Sequence, residues 1–176
     1  MPLTLTNVIC LDFEASAIGA RSYPIEVAVV DCDTDFGRSW LIKPERWWLE
    51  GGLWSSESAA VHGIELAQLV DRGTPAETVA RELAAACAGK TVLCDGGEHD
   101  LRWLVTLFAA IEQAPPFELT DYHAFAWNLA ARSGRRPDVA IGRSVAEAHV
   151  RYPVTHRAEQ DARHLAEMLR LIAGWP

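Results

Sequence analysis

The segment Val8-Ile9-Cys10-Leu11-Asp12-Phe13-Glu14 is an apolar run that ends in two carboxylates separated by one residue. Its β-branched residues predict a central strand. Because side chains alternate along a strand, Asp12 and Glu14 are expected on one face and Phe13 on the other. Two carboxylates beside a buried strand are unfavourable unless a cation lies between them, and Mg²⁺ prefers oxygen ligands. The alternative is an exposed strand end with two ordinary acids, which this short pattern alone favours.

Two further strands are predicted after this segment, at Ile25–Asp31 and Ser39–Ile42. The link between them, Asp33-Thr34-Asp35, is short and consists of turn-forming residues. An antiparallel three-stranded start is therefore expected. A loop is predicted at Leu49–Leu53, where two glycines interrupt the chain.

Helices and short strands alternate in the rest of the chain. A helix is predicted to open at Thr74-Pro75 and to run to Gly89, because a cap residue, an early proline and an acid in the first turn coincide there. The later predicted elements are the strand Thr91–Cys94, the helix Glu98–Glu112, the strand Phe117–Thr120 and the helices Tyr122–Arg132, Ser144–Val150 and Arg157–Ala173. This order predicts an α/β fold with a mixed five-stranded sheet, flanked by helices on both faces, in one domain over residues 1–176.

A second acidic segment follows the predicted strand Thr91–Cys94. There Gly96 and Gly97 turn the chain, and a helix begins near Asp100. Glycines let the backbone approach a neighbouring group closely, which suits a ligand site. The alternative is that the acids at this helix start serve only the helix dipole.

A third acidic segment pairs His156 with Asp161, five residues later. Five helical steps rotate by about 140°, so the two side chains cannot share one helix face. The final helix is therefore predicted to begin after His156, which leaves the imidazole on a lead-in loop. A loop histidine beside a metal cluster is suited to act as general base for water, whereas a surface histidine is the alternative.

The charge balance restricts the kind of ligand that the protein binds. The 176 residues carry a formal net charge of −8, and of the 16 basic residues only Lys43 and Lys90 are lysines. This balance argues against a strong grip on nucleic acid that is independent of sequence. It argues less against a nuclease site, because bound divalent cations cancel the charge of their carboxylate ligands locally.

The four cysteines form no C-x-x-C pair, and Cys10 and Cys94 lie within apolar runs. They are therefore expected to be buried free thiols rather than zinc ligands. The sequence has neither a secretory signal pattern nor an apolar run of membrane-spanning length. These features together predict a cytoplasmic protein that does not associate with a membrane.

The order of the three acidic segments resembles the DEDDh branch of the DEDD 3'-5' exonucleases. This family includes proofreading exonuclease subunits, ribonuclease T and oligoribonuclease. Its D-x-E motif matches Asp12-Phe13-Glu14, its second motif matches Asp100–Leu104, and its H-x-x-x-x-D motif matches His156–Asp161. Lesser similarities are Leu41–Pro44 and Val61–Ile64, and the resemblance extends from residue 8 to about residue 172.

The resemblance implies a ribonuclease H-like fold and hydrolysis of DNA or RNA from the 3' end to nucleoside 5'-monophosphates. Two Mg²⁺ or Mn²⁺ ions would be held by Asp12, Glu14, Asp100 and Asp161, with Asp12 between them, and His156 would be the general base. Single-stranded 3' ends or short oligonucleotides are the implied partners. The family also makes a homodimer plausible.

The resemblance also implies which residues contact the substrate, namely Phe13, Ala15, Ser16 and His62. Two departures from the family leave substrate preference open. Ala15-Ser16-Ala17 replace the Thr or Ser and Gly that often follow the first motif. Gly96-Gly97 replace the polar residue that usually precedes the second.

Several aromatic and basic side chains are further candidates for substrate contact. Trp103 is expected in the core because it lies on an apolar helix face. Base stacking is open for Phe13, for Trp103 and for three tryptophans of the predicted loop after the third strand, Trp47, Trp48 and Trp54. Cover of the active site or of a dimer surface is equally open for the three loop tryptophans. Phosphate contacts or a solvated loop are both open for Arg135, Arg136 and Arg143.

Two other functions remain open from the sequence. One is a non-catalytic, exonuclease-like module that binds nucleic acid or protein, although such a module has no chemical need for all four acids and the histidine. The other is a metal-dependent phosphodiesterase or phosphatase that acts on a small molecule.

Overall fold

The computed structural model describes residues 4–174, which form one mixed sheet with helices on both sides. The strands within the described residues are β1 (Val8–Ala15), β2 (Pro24–Asp31), β3 (Gly37–Lys43), β4 (Thr74–Pro75), β5 (Thr91–Cys94) and β6 (Leu119–Asp121). Their order across the sheet is β4-β3-β2-β1-β5-β6. The strand that carries the D-x-E motif therefore lies inside the sheet, as predicted.

The pairing of β1 fixes the direction of its neighbours. β1 runs antiparallel to β2 and parallel to β5, and β2 runs antiparallel to β3. The antiparallel start of three strands is thus confirmed. Along β1 and β2 the register places Glu14 opposite Glu26, and an irregularity follows between Glu14 and Ala15. Paired residues of antiparallel strands share a face, so these two glutamates lie on the same side of the sheet.

Eight helices cover the two faces of the sheet within the described residues. They are α1 (Arg46–Gly51), α2 (Ser56–His62), α3 (Leu66–Arg72), α4 (Ala76–Cys87), α5 (Glu98–Ala109), α6 (Tyr122–Arg132), α7 (Pro137–Arg151) and α8 (Ala158–Gly174). The helices Glu98–Ala109 and Ala158–Gly174 begin at or next to the predicted residues, and Tyr122–Arg132 matches its prediction at both ends.

Alternation along β1 separates two hydrophobic cores. Ile9, Leu11 and Phe13 pack with residues of α4 and α5 on one face. Val8 and Cys10 pack with residues of α6, α7 and α8 on the other. Asp12 and Glu14 continue the second row, which directs both carboxylates toward the α8 face of the sheet.

Three predicted segments differ in kind or in their start from the structure. The sheet has six strands instead of five, because Thr74–Pro75 forms a short strand parallel to β3 instead of opening a helix. Part of the loop predicted at Leu49–Leu53 belongs to α1, since Trp48 anchors a helical turn in the core. The helix predicted at Ser144–Val150 begins earlier, at Pro137, because this proline occupies a first-turn position where its missing N–H is not needed.

Cys10, Cys32, Cys87 and Cys94 are free thiols and all are buried, which confirms the expected burial. Within residues 4–174, none of the helices combines the length and the apolar character needed to cross a bilayer.

Two leucines of α5 provide a matched test of the core. Leu104 is fully buried, whereas Leu101 is 50% exposed. Leu104→Ala is expected to lower the free energy of unfolding by about 2–5 kcal/mol, because it removes buried methyl groups and leaves a cavity. Leu101→Ala should change it by less than about 1 kcal/mol. Urea denaturation measures both values, and equal losses would contradict this packing of α5.

Candidate active site

The first two acids of the site come from the end of β1. Asp12 and Glu14 are both partly exposed, while Phe13 between them is buried on the opposite face. The Asp12 Oδ2 atom is buried and has no hydrogen-bond partner among the described residues. A buried carboxylate oxygen without a hydrogen-bond donor is unfavourable, and a bound cation would stabilise this atom.

The third acid comes from the first turn of α5. Asp100 is only 2% exposed, and its Oδ2 atom accepts a hydrogen bond from the backbone N–H of Gly96 at 3.1 Å. A Cβ atom at position 96 would lie 2.6 Å from Oδ1 of Asp100, which is closer than real contacts allow. Gly96 therefore permits a close approach to its backbone, as predicted. The group that approaches is the carboxylate of Asp100.

The fourth acid comes from the first turns of α8. The carboxylate of Asp161 accepts hydrogen bonds from the backbone N–H groups of Thr155 at 2.9 Å and His156 at 3.1 Å. The loop before α8 is therefore held against the helix by the acid itself. His156 lies outside the helix, as predicted, and has a left-handed backbone with φ of 55°.

One acid from each end of the chain meets the predicted base. Ligand atoms of Glu14, His156 and Asp161 all lie within 4.8 Å of one another. A strand near the N-terminus and a helix near the C-terminus thus contribute to a single cluster. His156 is exposed, so its imidazole is accessible from solvent.

Burial raises the pKa of all four acids, and for Asp12 and Glu14 the charges of other acids of the site raise it further. Burial, followed by the charges of Asp100 and Glu14, raises the pKa of Asp12 well above its ordinary value. Burial, followed by the charge of Asp161, raises the pKa of Glu14 to about 8. Burial and then Asp95 raise the pKa of Asp100 to about 7, and burial raises that of Asp161. Like charges held together in this way suit oxygen-preferring divalent cations.

The sequence interpretation missed one acid beside this cluster. Glu26 of β2 is 3% exposed and lies next to Glu14 in the sheet register. Its carboxylate binds the Arg157 guanidinium, with distances of 3.0 Å to Nε and 2.7 Å to the second nitrogen. The available signal was a charged residue in the interior of the apolar strand β2, Pro24–Asp31.

The residues predicted to contact substrate are buried in this structure. Phe13 is 4% exposed and packs edge-on against Trp103, with ring centroids 6.4 Å apart. Ser16 is fully buried, and its hydroxyl accepts a hydrogen bond from the backbone N–H of Tyr23 at 3.0 Å. Ala15 and His62 are 6% and 4% exposed. Substrate contact at these four positions stays a prediction.

The tryptophans divide between core and surface. Trp103 is a core residue, as expected, and its indole N–H donates to the Ser22 hydroxyl at 2.8 Å. Placing Trp47 and Trp48 in a loop was wrong, because both belong to α1. Trp48 is 2% exposed and stacks on Tyr23, which excludes its ring from base stacking in this conformation, whereas Trp47 is 51% exposed. Trp54 is partly buried against the core, outside the helices.

The basic residues predicted in one loop are separated. Arg143 lies within α7, which corrects its predicted loop position. Arg136 precedes that helix and pairs with Asp138. Arg135 donates a hydrogen bond to the backbone carbonyl of Ile172 at 3.0 Å.

Comparisons with known proteins establish the fold. No family model matches the sequence, and no curated protein matches it. A full-length 3'-exonuclease has a TM-score of 0.65 at 16% identity, and the match covers 93% of this chain and 80% of that chain. Exonuclease I of E. coli, in the zinc-bound form of its complex with single-stranded DNA, has a TM-score of 0.68 at 13% identity. That match covers 94% of this chain but only 40% of the exonuclease I chain. The expected ribonuclease H-like fold is thereby confirmed.

The raised pKa values predict a particular pH dependence of stability without metal. The folded-state pKa values of Glu14 and Asp100 lie above their ordinary values, so the folded protein binds more protons than the unfolded chain. The stability of the metal-free protein should therefore fall as the pH rises from about 5 to about 8. Glu14→Gln should raise the melting temperature at pH 8 by about 2 °C or more, because it removes a charge that burial and then Asp161 disfavour.

Measurement of the same two proteins at about pH 5 is the internal control, because Glu14 is then protonated in the folded protein and the difference should disappear. Differential scanning calorimetry in EDTA gives the melting temperatures. Identical melting temperatures at pH 8 would contradict the proposed repulsion.

Proposed function

We propose that this protein is a metal-dependent 3'-5' exonuclease of the DEDDh type, which releases nucleoside 5'-monophosphates. One observation supports this function above the others: Glu14 and Asp161 lie within 4.8 Å of the loop residue His156, and the charges of Asp100, Glu14 and Asp161 act on the buried carboxylate of Asp12. The buried Asp12 Oδ2 atom without a partner is the clearest sign that the cluster takes cations. The fold shared with two exonucleases supports the same conclusion.

The four acids fit two divalent cations. The charges of Asp100, Glu14 and Asp161 all raise the pKa of Asp12, after burial, so Asp12 is the candidate for a shared ligand. All four donors are carboxylates, which favours Mg²⁺ or Mn²⁺. When bound, such ions would polarise the scissile phosphodiester and lower the pKa of a water molecule.

The side chains of the chain itself would supply orientation and proton transfer. A ring nitrogen of His156 would accept the proton of the attacking water, since the imidazole lies among the oxygens of Glu14 and Asp161. Asp161 would orient this histidine by holding its backbone N–H. The exposed position of His156 lets the proton pass on to solvent.

The surroundings of the site favour a short single-stranded substrate. The net charge of −8 argues against long tracking along a duplex. A cavity of about 540 Å³ is lined in part by Asp95, Gly97 and Glu98 of the turn before α5 and its first residue, and by Leu101 and Val105 of that helix. An apolar cavity with acidic residues suits an unpaired base better than a phosphate group. A homodimer remains a proposal from the resemblance alone.

The proposal is tested with single-stranded DNA and RNA oligomers of several lengths that carry a 5' label. Wild-type protein with Mg²⁺ or Mn²⁺ should produce a ladder that shortens from the 3' end, and EDTA should stop it. Asp12→Asn should lower the rate by at least about 1,000-fold, because the shared ligand loses its charge. Asp33→Asn, an exposed acid in the turn after β2, is the matched control and should keep full activity.

Undiminished turnover of the Asp12→Asn protein would refute the metal assignment. Binding of oligonucleotides without cleavage would favour a non-catalytic module. Hydrolysis of small phosphodiesters alone would favour a small-molecule phosphodiesterase.

The role of His156 is tested separately. His156→Ala should lower kcat by about 100- to 10,000-fold, the usual contribution of general base catalysis, and leave Mn²⁺ affinity nearly unchanged. Calorimetric titration measures the affinity, and His149→Ala, an exposed histidine of α7, is the control. Equal losses of turnover and of metal affinity would show that the imidazole is a ligand rather than the base.

A further inference from the structure

Glu26 is a charged residue in a row of apolar side chains. It shares the α8 face of β2 with Ala28 and Val30, which are both fully buried. Glu26 itself is 3% exposed and lies opposite Glu14 in the register. A buried carboxylate beside another acid is unfavourable, so a structural role alone would be served better by an apolar residue.

The Glu26 carboxylate makes three hydrogen bonds with the start of α8. Oε2 accepts from Arg157 Nε at 3.0 Å and from the backbone N–H of Ala158 at 3.0 Å. Oε1 accepts from a terminal guanidinium nitrogen of Arg157 at 2.7 Å. A bidentate pair with an additional backbone bond fixes the direction as well as the distance between its partners.

These bonds hold Arg157 and Ala158, the two residues that follow His156 in the chain. The N–H groups of Thr155 and His156 bind Asp161, and the following residues, Arg157 and Ala158, bind Glu26. His156 lies between these two attachments with φ of 55°, a left-handed conformation that non-glycine residues rarely adopt. Such a conformation persists where the surrounding contacts determine it from both sides.

We propose that Glu26 is a positioning residue, which acts through Arg157 and the Ala158 backbone to fix the His156 loop beside Glu14 and Asp161. This inference rests on the proposed function. Glu26 reaches no reacting atom, and its effect is on the placement of the imidazole. The strand β2, which pairs with β1 beside Glu14, thus sets the position of His156.

A conservative variant distinguishes a positioning role from a purely structural one, because loss of positioning lowers kcat whereas loss of stability alone does not. Glu26→Gln keeps the side-chain volume but offers one acceptor oxygen in place of two, so the bidentate pair is lost. We expect kcat on a single-stranded oligonucleotide to fall by about 10- to 100-fold, because a base displaced by about 1 Å is much less effective. KM and the Mn²⁺ dissociation constant should stay within about threefold, since the metal ligands are retained.

The matched control is Glu167→Gln, which breaks another buried ion pair of the same helix. Glu167 is 6% exposed and binds Arg151 at 3.0 Å and Arg170 at 2.8 Å. It lies six residues beyond Asp161, about 9 Å along the helix axis. Its variant should lose stability to a similar degree but keep kcat within about twofold.

Hydrogen exchange of the metal-free protein is the second readout. Glu26→Gln should increase the exchange rate of amides 155–158 by at least about tenfold, whereas Glu167→Gln should leave them unchanged. If Glu26→Gln does not fold, Arg157→Lys tests the same contact, because lysine keeps the charge but not the bidentate geometry. Its kcat should fall at unchanged Mn²⁺ affinity.

A kcat of the Glu26→Gln protein within twofold of wild type, or equal losses in both glutamate variants, would overturn the proposal. Unchanged exchange of amides 155–158 would overturn it too. An inactive wild-type protein would refute the nuclease function instead, and the exchange comparison would still decide whether Glu26 fixes the loop.

Discussion

Repulsion among four carboxylates is the constraint on which the rest of this structure depends. Burial raises the pKa of Asp12, Glu14, Asp100 and Asp161, and the charges of neighbouring acids raise the pKa of the first three further. Nothing in the apolar packing of the domain favours this arrangement, so the scaffold must hold the acids in place against their mutual repulsion. A rigid central strand and two helices provide that support, and divalent cations would convert the repulsion into attraction.

Each acid is held by a different local device. The strand β1 is paired on both sides, and its alternation directs Asp12 and Glu14 to one face. Gly96 leaves room for the Asp100 carboxylate against the backbone. Asp161 is bonded to the loop that precedes its own helix. The site is therefore built from secondary structure at its centre and from a loop only at His156, the proposed general base.

The sequence predicted the elements that carry the candidate site better than the segments around them. The alternation of Asp12, Phe13 and Glu14 and the helix start after His156 follow from local periodicity, and both agree with the structure. The short strand Thr74–Pro75 and the buried turn around Trp48 depend on contacts with β3 and the core, which local patterns do not contain. Glu26 was missed for a related reason. Its role depends on a contact with Arg157, which is 131 residues away in the chain.

The register of β1 also limits how this chain can diverge. Successive residues of this eight-residue strand pack alternately into the two hydrophobic cores, and the two carboxylates continue one of these two rows. Loss of a single residue between Asn7 and Asp12 would rotate both acids into the layer now filled by Phe13 and would bring an apolar side chain into the pocket. Insertions and deletions in proteins that descend from this sequence should therefore occur in the loops between elements, while the length of the first strand stays unchanged.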